Sequence, residues 1–275
     1  LIGQMAKFIQ AQPPTQNSAA LLEKFAEQVV HPSEIKSVLL QPEMEDQIQL
    51  EYLPQHMSKQ FDRTPYYDKL MLGYQHYIEV LKSYLTADEP ELWVQHVVKV
   101  FDDYRILAAI RHGALGLTQL NLHIEQRLLD ALSLQMSKQG DWYVGRPVMM
   151  TYNDYQLGLS NGDIGICFKR SRDGQSQFEV YFPSLEKWVP ATRLPKSIET
   201  AFVLTIHKSQ GSEFTHTAVI LDETAKDLLS KELLYTAITR AKKVVSLLAD
   251  QDALVQSLTV KTMRKSGLLE KINNF

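Results

Sequence analysis

With 275 residues, 44% of them hydrophobic and 22% charged, the chain can bury one large core or two smaller ones and has the composition of an ordinary globular protein. A net charge of −3 excludes an indiscriminate polyanion binder, but the charge is uneven: residues 1–100 hold 8 Lys/Arg against 13 Asp/Glu, and residues 201–275 hold 10 against 8. Any nucleic-acid contact is therefore a local site, expected in the last third.

Apolar residues at helical spacing (Ile2, Met5, Phe8, Ile9) predict a helix over 1–12 that stops at Pro13-Pro14. Asn17 or Ser18 caps a second helix, through Leu21, Leu22, Phe25 and Val29 to about residue 30. Prolines 32, 42, 54 and 65 break the next stretch into short elements. Two more helices are predicted over 66–86 and 89–100. The tyrosine stripe of the first (Tyr67, Tyr74) reads as core, since helical aromatic spacing marks a buried face.

A buried strand over 104–110, a glycine-bearing loop over 111–116 and an amphipathic helix over 117–136 make the repeating unit of a parallel α/β sheet. Arg111 lies at that strand's end, where such sheets meet ligands. From 144 to 194 the period changes from helix to strand. Runs at 147–152, 162–168, 178–182 and 187–191, with Asn161-Gly162 and Asp173-Gly174 as turns, predict a small antiparallel barrel or meander set into the α/β sheet. Its aromatics Tyr152, Tyr155 and Trp188 either grip nucleic acid or meet another protein.

An apolar run at 201–204 and another at 217–221 enclose Thr205-Ile206-His207-Lys208-Ser209-Gln210-Gly211-Ser212-Glu213-Phe214. Hydroxyls, an imidazole, an ammonium, a glycine and a carboxylate crowd into this one loop. Ser230 then caps a helix ending near Arg240, with Thr236, Thr239 and Arg240 on nearly one side. A strand over 244–248, a short helix over 250–258 and a basic, frayed tail complete the chain.

Cys167 is the only cysteine, so an intrachain disulfide and a cysteine metal cluster are both excluded. Its setting between Ile166 and Phe168 marks it as a small buried hydrophobe. The eight histidines show no i,i+4 pair, so no metal site is expected. No apolar run approaches the ~18 residues of a membrane span, and a reducing, cytoplasmic setting is expected. There is no G-x-x-x-x-G-K-[ST] phosphate loop, and the first residue is Leu1, as expected of a piece cut from a longer chain.

The loop at 205–214, followed about twenty residues later by Leu234-Tyr235-Thr236-Ala237-Ile238-Thr239-Arg240-Ala241, resembles the fifth and sixth motifs of superfamily 1 helicases. Within that superfamily the chain is most similar to the alpha subunit of exodeoxyribonuclease V. Trp142-Tyr143-Val144-Gly145-Arg146-Pro147-Val148-Met149, the run 157–165 and Arg264-Lys265-Ser266-Gly267-Leu268 carry the narrower likeness. The resemblance implies the second RecA-like motor domain, an α/β parallel-sheet fold with a small SH3-like β-barrel insert. Residues 1–146 and 195–275 would form the motor domain and 147–194 the insert.

By the same resemblance Arg240 is the arginine finger and catalytic residue, and it binds nucleotide together with Gly211 and Glu213. Thr205, His207, Lys208 and Arg111 contact single-stranded DNA. The resemblance implies ATP and Mg²⁺ in the full-length protein, neither of them bound by this part alone. Its partners would be the missing N-terminal motor domain of the same chain and the beta and gamma subunits of the enzyme. A 5′-to-3′ DNA helicase acting in double-strand break repair is the implied function, and a subunit-docking module is the alternative. An independent nuclease is disfavoured, because no Asp/Glu/His set is spaced for two metals.

Overall fold

The computed structural model describes residues 1–13, 17–30, 34–133 and 136–261. Five parallel strands form the central sheet in the order β1-β10-β9-β2-β8. They are β1 (Gln47–Tyr52), β2 (Tyr104–Ala108), β8 (Val203–Thr205), β9 (Phe214–Leu221) and β10 (Ala241–Ala249). The inner strands are buried on both sides, so they read in sequence as near-continuous apolar runs such as Val244-Val245 and Leu247-Leu248. One face of the sheet carries α1 (Ile2–Ala11), α2 (Ser18–Ala26), α7 (Lys231–Thr239) and α8 (Gln251–Thr259) over a core that includes Leu107, Val219 and Leu247. The other carries α3 (Thr64–Met71), α4 (Gln75–Thr86), α5 (Val94–Asp102) and α6 (Leu117–Ala131) over Ile106, Ala218 and Leu248.

The predicted caps are in place. Asn17 accepts from the amides of Ala19 and Ala20, and Ser230 accepts from Leu233. The helix expected over 66–86 is two, because a 3-10 turn at Leu72–Tyr74 divides it. Gly73 is what permits this turn: a Cβ there would stand 2.2 Å from the Tyr104 ring. The tyrosine stripe is core, as expected. Tyr74 donates to Phe202 O (2.5 Å), Tyr77 to Gly145 O (2.7 Å) and Tyr104 to Leu70 O (2.7 Å), which ties the helices to β2 and to the segments around Gly145 and Phe202. Burial pushes the Tyr74 hydroxyl up to about 12.

A second, antiparallel sheet runs in the order β6-β5-β4-β3-β7. Its strands are β3 (Pro147–Met149), β4 (Ile164–Arg172), β5 (Gln175–Phe182), β6 (Lys187–Pro190) and β7 (Glu199–Thr200). Asp173 and Gly174, both at positive φ, form the two-residue hairpin between β4 and β5. Cys167 is fully buried here, and desolvation raises its thiol to about 12. Trp188 packs on Phe168 and Tyr181 with the Arg170 guanidinium over its ring. Tyr155, by contrast, is 88% exposed.

β1 stands as a sheet edge inside the stretch expected to be broken, paired along its whole length with β10. α6 ends at Ala131, short of the expected residue 136. The basic tail and Arg264-Lys265-Ser266-Gly267-Leu268 lie outside the described residues. Among the described residues no helix is long and apolar enough to cross a membrane.

Candidate nucleic-acid and nucleotide site

The loop at 205–214 joins two strands that run the same way, so it must return from the carboxyl edge of the sheet to the amino edge. Thr205 is level with Ala108, and Ala108 with Ile220, whereas Phe214 is level with Ala241 at the start of β10. Six residues of β9 separate those levels, roughly 20 Å at strand rise. The loop's two ends therefore serve opposite edges.

At the carboxyl edge β8 is a sheet margin whose outer backbone is closed by a side chain. Asn121 of α6 accepts from Val203 N (3.0 Å) and donates to Val203 O (3.2 Å), so this buried edge has no loose polar groups at that residue. Ile206 extends the pairing by donating to Ala108 O at 3.0 Å. A 3-10 turn, His207–Ser209, follows, in which the Lys208 amide donates to Thr205 Oγ1 (3.2 Å) and the Ser209 hydroxyl to Ile206 O (2.6 Å). This local bonding fixes the backbone and leaves the His207 and Lys208 side chains exposed.

Thr205, His207, Lys208 and Arg111 all line one open groove of about 730 Å³. Its remaining walls come from Ala109, Ile110, His112 and Gly113, and from Thr224 and Leu228 in the 3-10 segment after β9. An arginine, a lysine, an imidazole and a hydroxyl around an apolar floor suit a phosphodiester backbone whose bases lie against carbon. Ile110, Thr224 and Leu228 carried no signal in the sequence, because only the fold brings 223–228 beside 109–113.

The lysine and arginine of the groove are tied to β7 and to the excursion between β3 and β4. Lys208 Nζ donates to Asn161 Oδ1 at 2.7 Å, and Arg111 forms an ion pair with Glu199 of β7. Neither partner is legible in the sequence, where Asn161 reads as a turn residue and nothing marks Glu199.

At the amino edge the loop passes Gly211, at φ 82°, where open space surrounds the site a Cβ would take. Glu213 is exposed, and Phe214 donates its amide to Arg240 O at 2.9 Å. The Arg240 side chain bonds Thr236 O (3.1 Å), Ser212 O (3.2 Å) and Thr239 Oγ1 (3.2 Å). Three of its five N–H groups are thus used within the chain, and two remain to meet a ligand. A half-buried guanidinium, an exposed carboxylate and an uncovered stretch of backbone form a donor set that fits a nucleotide phosphate and ribose.

One further arginine lies close by. Arg105, 1% exposed at the start of β2, donates to Phe101 O (2.9 Å) and Tyr104 O (2.8 Å). Its guanidinium is sandwiched between the rings of Phe101 (3.6 Å) and Phe214 (4.7 Å), so it braces the end of the loop. Among the described residues no group of His, Cys, Asp and Glu is arranged to hold a metal.

A five-stranded parallel sheet covered by helices, with this loop and a helix-end arginine at its edges, has the α/β architecture of a RecA-like domain. Residues 200–248 match the UvrD-like helicase C-terminal domain family. The RecBCD enzyme subunit RecD of Haemophilus influenzae is 39% identical over 176 residues, covering 63% of this chain and 26% of that protein. The ATP-dependent RecD2 DNA helicase of Deinococcus radiodurans is 27% identical over 169 residues, covering 61% of this chain and 23% of its own length. A Bacteroides Pif1 helicase, solved in complex with ADP-AlF3 and ssDNA, aligns with 79% of this chain and 55% of its own at 16% identity. Its TM-score of 0.35 is too low to bear on the site. The chain is similar to superfamily 1 helicases of the RecD type over this stretch. It spans about a quarter of the length of the curated relatives it matches.

Proposed function

We propose that this chain is the C-terminal motor domain of an ATP-dependent DNA helicase, and that the groove at Thr205, His207, Lys208 and Arg111 grips the backbone of a single strand. One observation carries the reading: a single loop presents Thr205, His207 and Lys208 at one edge of the sheet, where Arg111 joins them from the loop after β2, and Gly211 and Glu213, beside Arg240, at the other. Arg240 then acts as the arginine finger. A planar, permanently charged fork stabilises charge spread over γ-phosphate oxygens in a way a lysine does not. Glu213 accepts from the ribose, and Gly211 lets the backbone approach the nucleotide.

The phosphate loop and magnesium ligands would come from a first motor domain, since these 275 residues hold no G-x-x-x-x-G-K-[ST] sequence. Without them the chain does not turn over ATP. The likeness to RecD subunits supports a place in exodeoxyribonuclease V beside its beta and gamma subunits, with 5′-to-3′ movement, a role in double-strand break repair and a cytoplasmic location. On this reading residues 147–194 are an SH3-like insert between the two parts of the motor domain.

The test is titration of a fluorescent single-stranded oligonucleotide at low and moderate salt, beside a variant carrying His207→Ala and Lys208→Ala. Binding that weakens with salt and is lost in the variant is expected. A variant that binds as well as wild type removes the groove assignment. The exposed Tyr152 and Tyr155 favour a second reading, docking of another subunit on the antiparallel sheet. That reading expects tight binding to the partner subunits and negligible affinity for DNA.

A further inference from the structure

The ion pair between Arg111 and Glu199 bears on how the groove takes its ligand. Arg111 lines two cavities: the groove beside Lys208, and a separate cavity between α6 and the antiparallel sheet. Glu199 lines only the second. In this structure the guanidinium is turned to Glu199. Both side chains remain partly open to water, 47% exposed for Arg111 and 30% for Glu199.

The two partners are held differently. Glu199 lies in β7, in register with Met149, and the next residue, Thr200, accepts from Arg146 Nε at 3.1 Å. The backbone beneath its carboxylate is therefore held in place. Arg111 is anchored by its carbonyl, which accepts from Thr118 N at 3.1 Å, and its long side chain can change rotamer without moving the backbone.

A guanidinium fork matches a carboxylate and a phosphate with the same geometry. We infer that Glu199 is an affinity-setting residue of the strand groove, a built-in carboxylate that occupies Arg111 where a backbone phosphate of single-stranded nucleic acid would bind. This rests on the groove being the strand site. Binding exchanges one anion for another at Arg111, so this arginine adds little net affinity and the grip stays weak enough to be released at each step. Lys208 differs, because its partner Asn161 is neutral and offers only a hydrogen bond.

The test is fluorescence anisotropy of a labelled oligo(dT) with the intact protein over a salt series, using wild type, Glu199→Gln, Arg111→Ala, the double variant, and His207→Ala with Lys208→Ala. Glu199→Gln should tighten binding about three- to fivefold, the scale of an exposed ion pair. It should also steepen the dependence of log K on log salt by about 0.7, the value of one more phosphate neutralised on a single strand. In the Arg111→Ala background the gain should shrink. Glu199→Ala, which removes the carboxylate without leaving an amide, should act in the same direction. Thermal melting of each variant reports whether it is folded.

Unchanged or weaker binding by both folded Glu199 variants would overturn the inference, and would make Glu199 a group that orients Arg111 for the strand. A gain undiminished in the Arg111→Ala background would overturn it too, because Glu199 would then act only by repulsion through space. If wild type binds and the His207/Lys208 variant binds equally well, the groove reading itself fails and the inference falls with it. If that variant loses binding while Glu199→Gln gains none, only the inference fails.

Discussion

Lys208 Nζ donates to Asn161 Oδ1 at 2.7 Å, which ties the loop between β8 and β9 to the excursion between β3 and β4. The Asn161 amide in turn donates to Asn153 Oδ1 at 2.8 Å, and the excursion closes where Gly162 N meets Met150 O at 2.7 Å. The lysine thus rests against an ordered neighbour that carries no charge of its own. Placing a carboxylate there, as Asn161→Asp, should lower single-strand affinity about three- to fivefold at low salt. Asn161→Ala should leave affinity within about twofold, since it removes one exposed hydrogen bond. Anisotropy titrations compare the two, and equal effects would mean that Lys208 is not engaged by the strand.

Arg240 is bonded on both sides of the proposed nucleotide site, to Thr236 O in α7 and to Ser212 O in the loop. In the full-length helicase Arg240→Ala should abolish ATP turnover, a loss on the order of 10³-fold or more, while nucleotide affinity stays within about tenfold. Arg240→Lys should not rescue turnover, because an ammonium cannot hold the loop carbonyl and offer a fork together. Single-turnover hydrolysis and nucleotide titration separate the two effects. Retained turnover in Arg240→Ala would remove the finger assignment.

Asn121 closes the outer edge of β8 with two hydrogen bonds to Val203. Asn121→Ala should cost about 2–4 kcal/mol, since it strands a buried N–H and a buried C=O. Urea unfolding measures the loss. Strand affinity should fall as well, because Thr205 lies two residues beyond the loosened pair. A stability change below ~0.5 kcal/mol would show that water replaces the amide.

His216 is buried against Tyr104, with a ring nitrogen 2.7 Å from Ser246 Oγ, and burial lowers its pKa from 6.5 to about 3. Folding therefore opposes its protonation. Its contribution to stability is full above about pH 6.5 and falls as the pH drops towards 3, by up to about 1.4 kcal/mol per unit. The carboxylates of Asp103 and Glu79 and the His76 imidazole line the same hollow. Unfolding free energies at pH 7 and 4.5 should differ by about 2–3 kcal/mol more in wild type than in His216→Gln. An identical drop in both would assign the acid sensitivity to other groups.

The sheet was legible wherever strands are buried on both faces, because 104–108, 217–221 and 244–248 are runs that a parallel sheet requires. β1 was not. Its sequence, Gln47-Ile48-Gln49-Leu50-Glu51-Tyr52, alternates polar and apolar as an exposed edge would, yet Gln49 and Glu51 are buried. Their side chains accept from the amides of Lys36 and Ile35, long-range bonds that no local pattern announces. The division of α3 and α4 was hidden for a similar reason: Gly73 yields to a ring of Tyr104, thirty-one residues away.

The site was legible as a set of residues and not as a geometry. Chemistry concentrated in ten consecutive residues pointed to the loop, and Arg240 stood out by its spacing from it. That Thr205 and Glu213 serve opposite sheet edges follows only from strand order and register. Glu199 and Asn161, which hold the groove's two fixed cations, are ordinary surface residues until the fold sets them beside Arg111 and Lys208.

The crossover between Thr205 and Phe214 contains no α-helix, only the 3-10 turn at His207–Ser209 and the turn that Ser212 N closes on Ser209 O at 3.0 Å. Its ends stand roughly 22 Å apart, counting the strand length and two strand spacings. Nine residue steps reach roughly 30–32 Å when fully extended, and the two turns shorten that to near the distance spanned. The segment has almost no slack. It is a taut tether whose ends cannot shift independently, and one inserted residue would add roughly 3 Å of slack between the two edges.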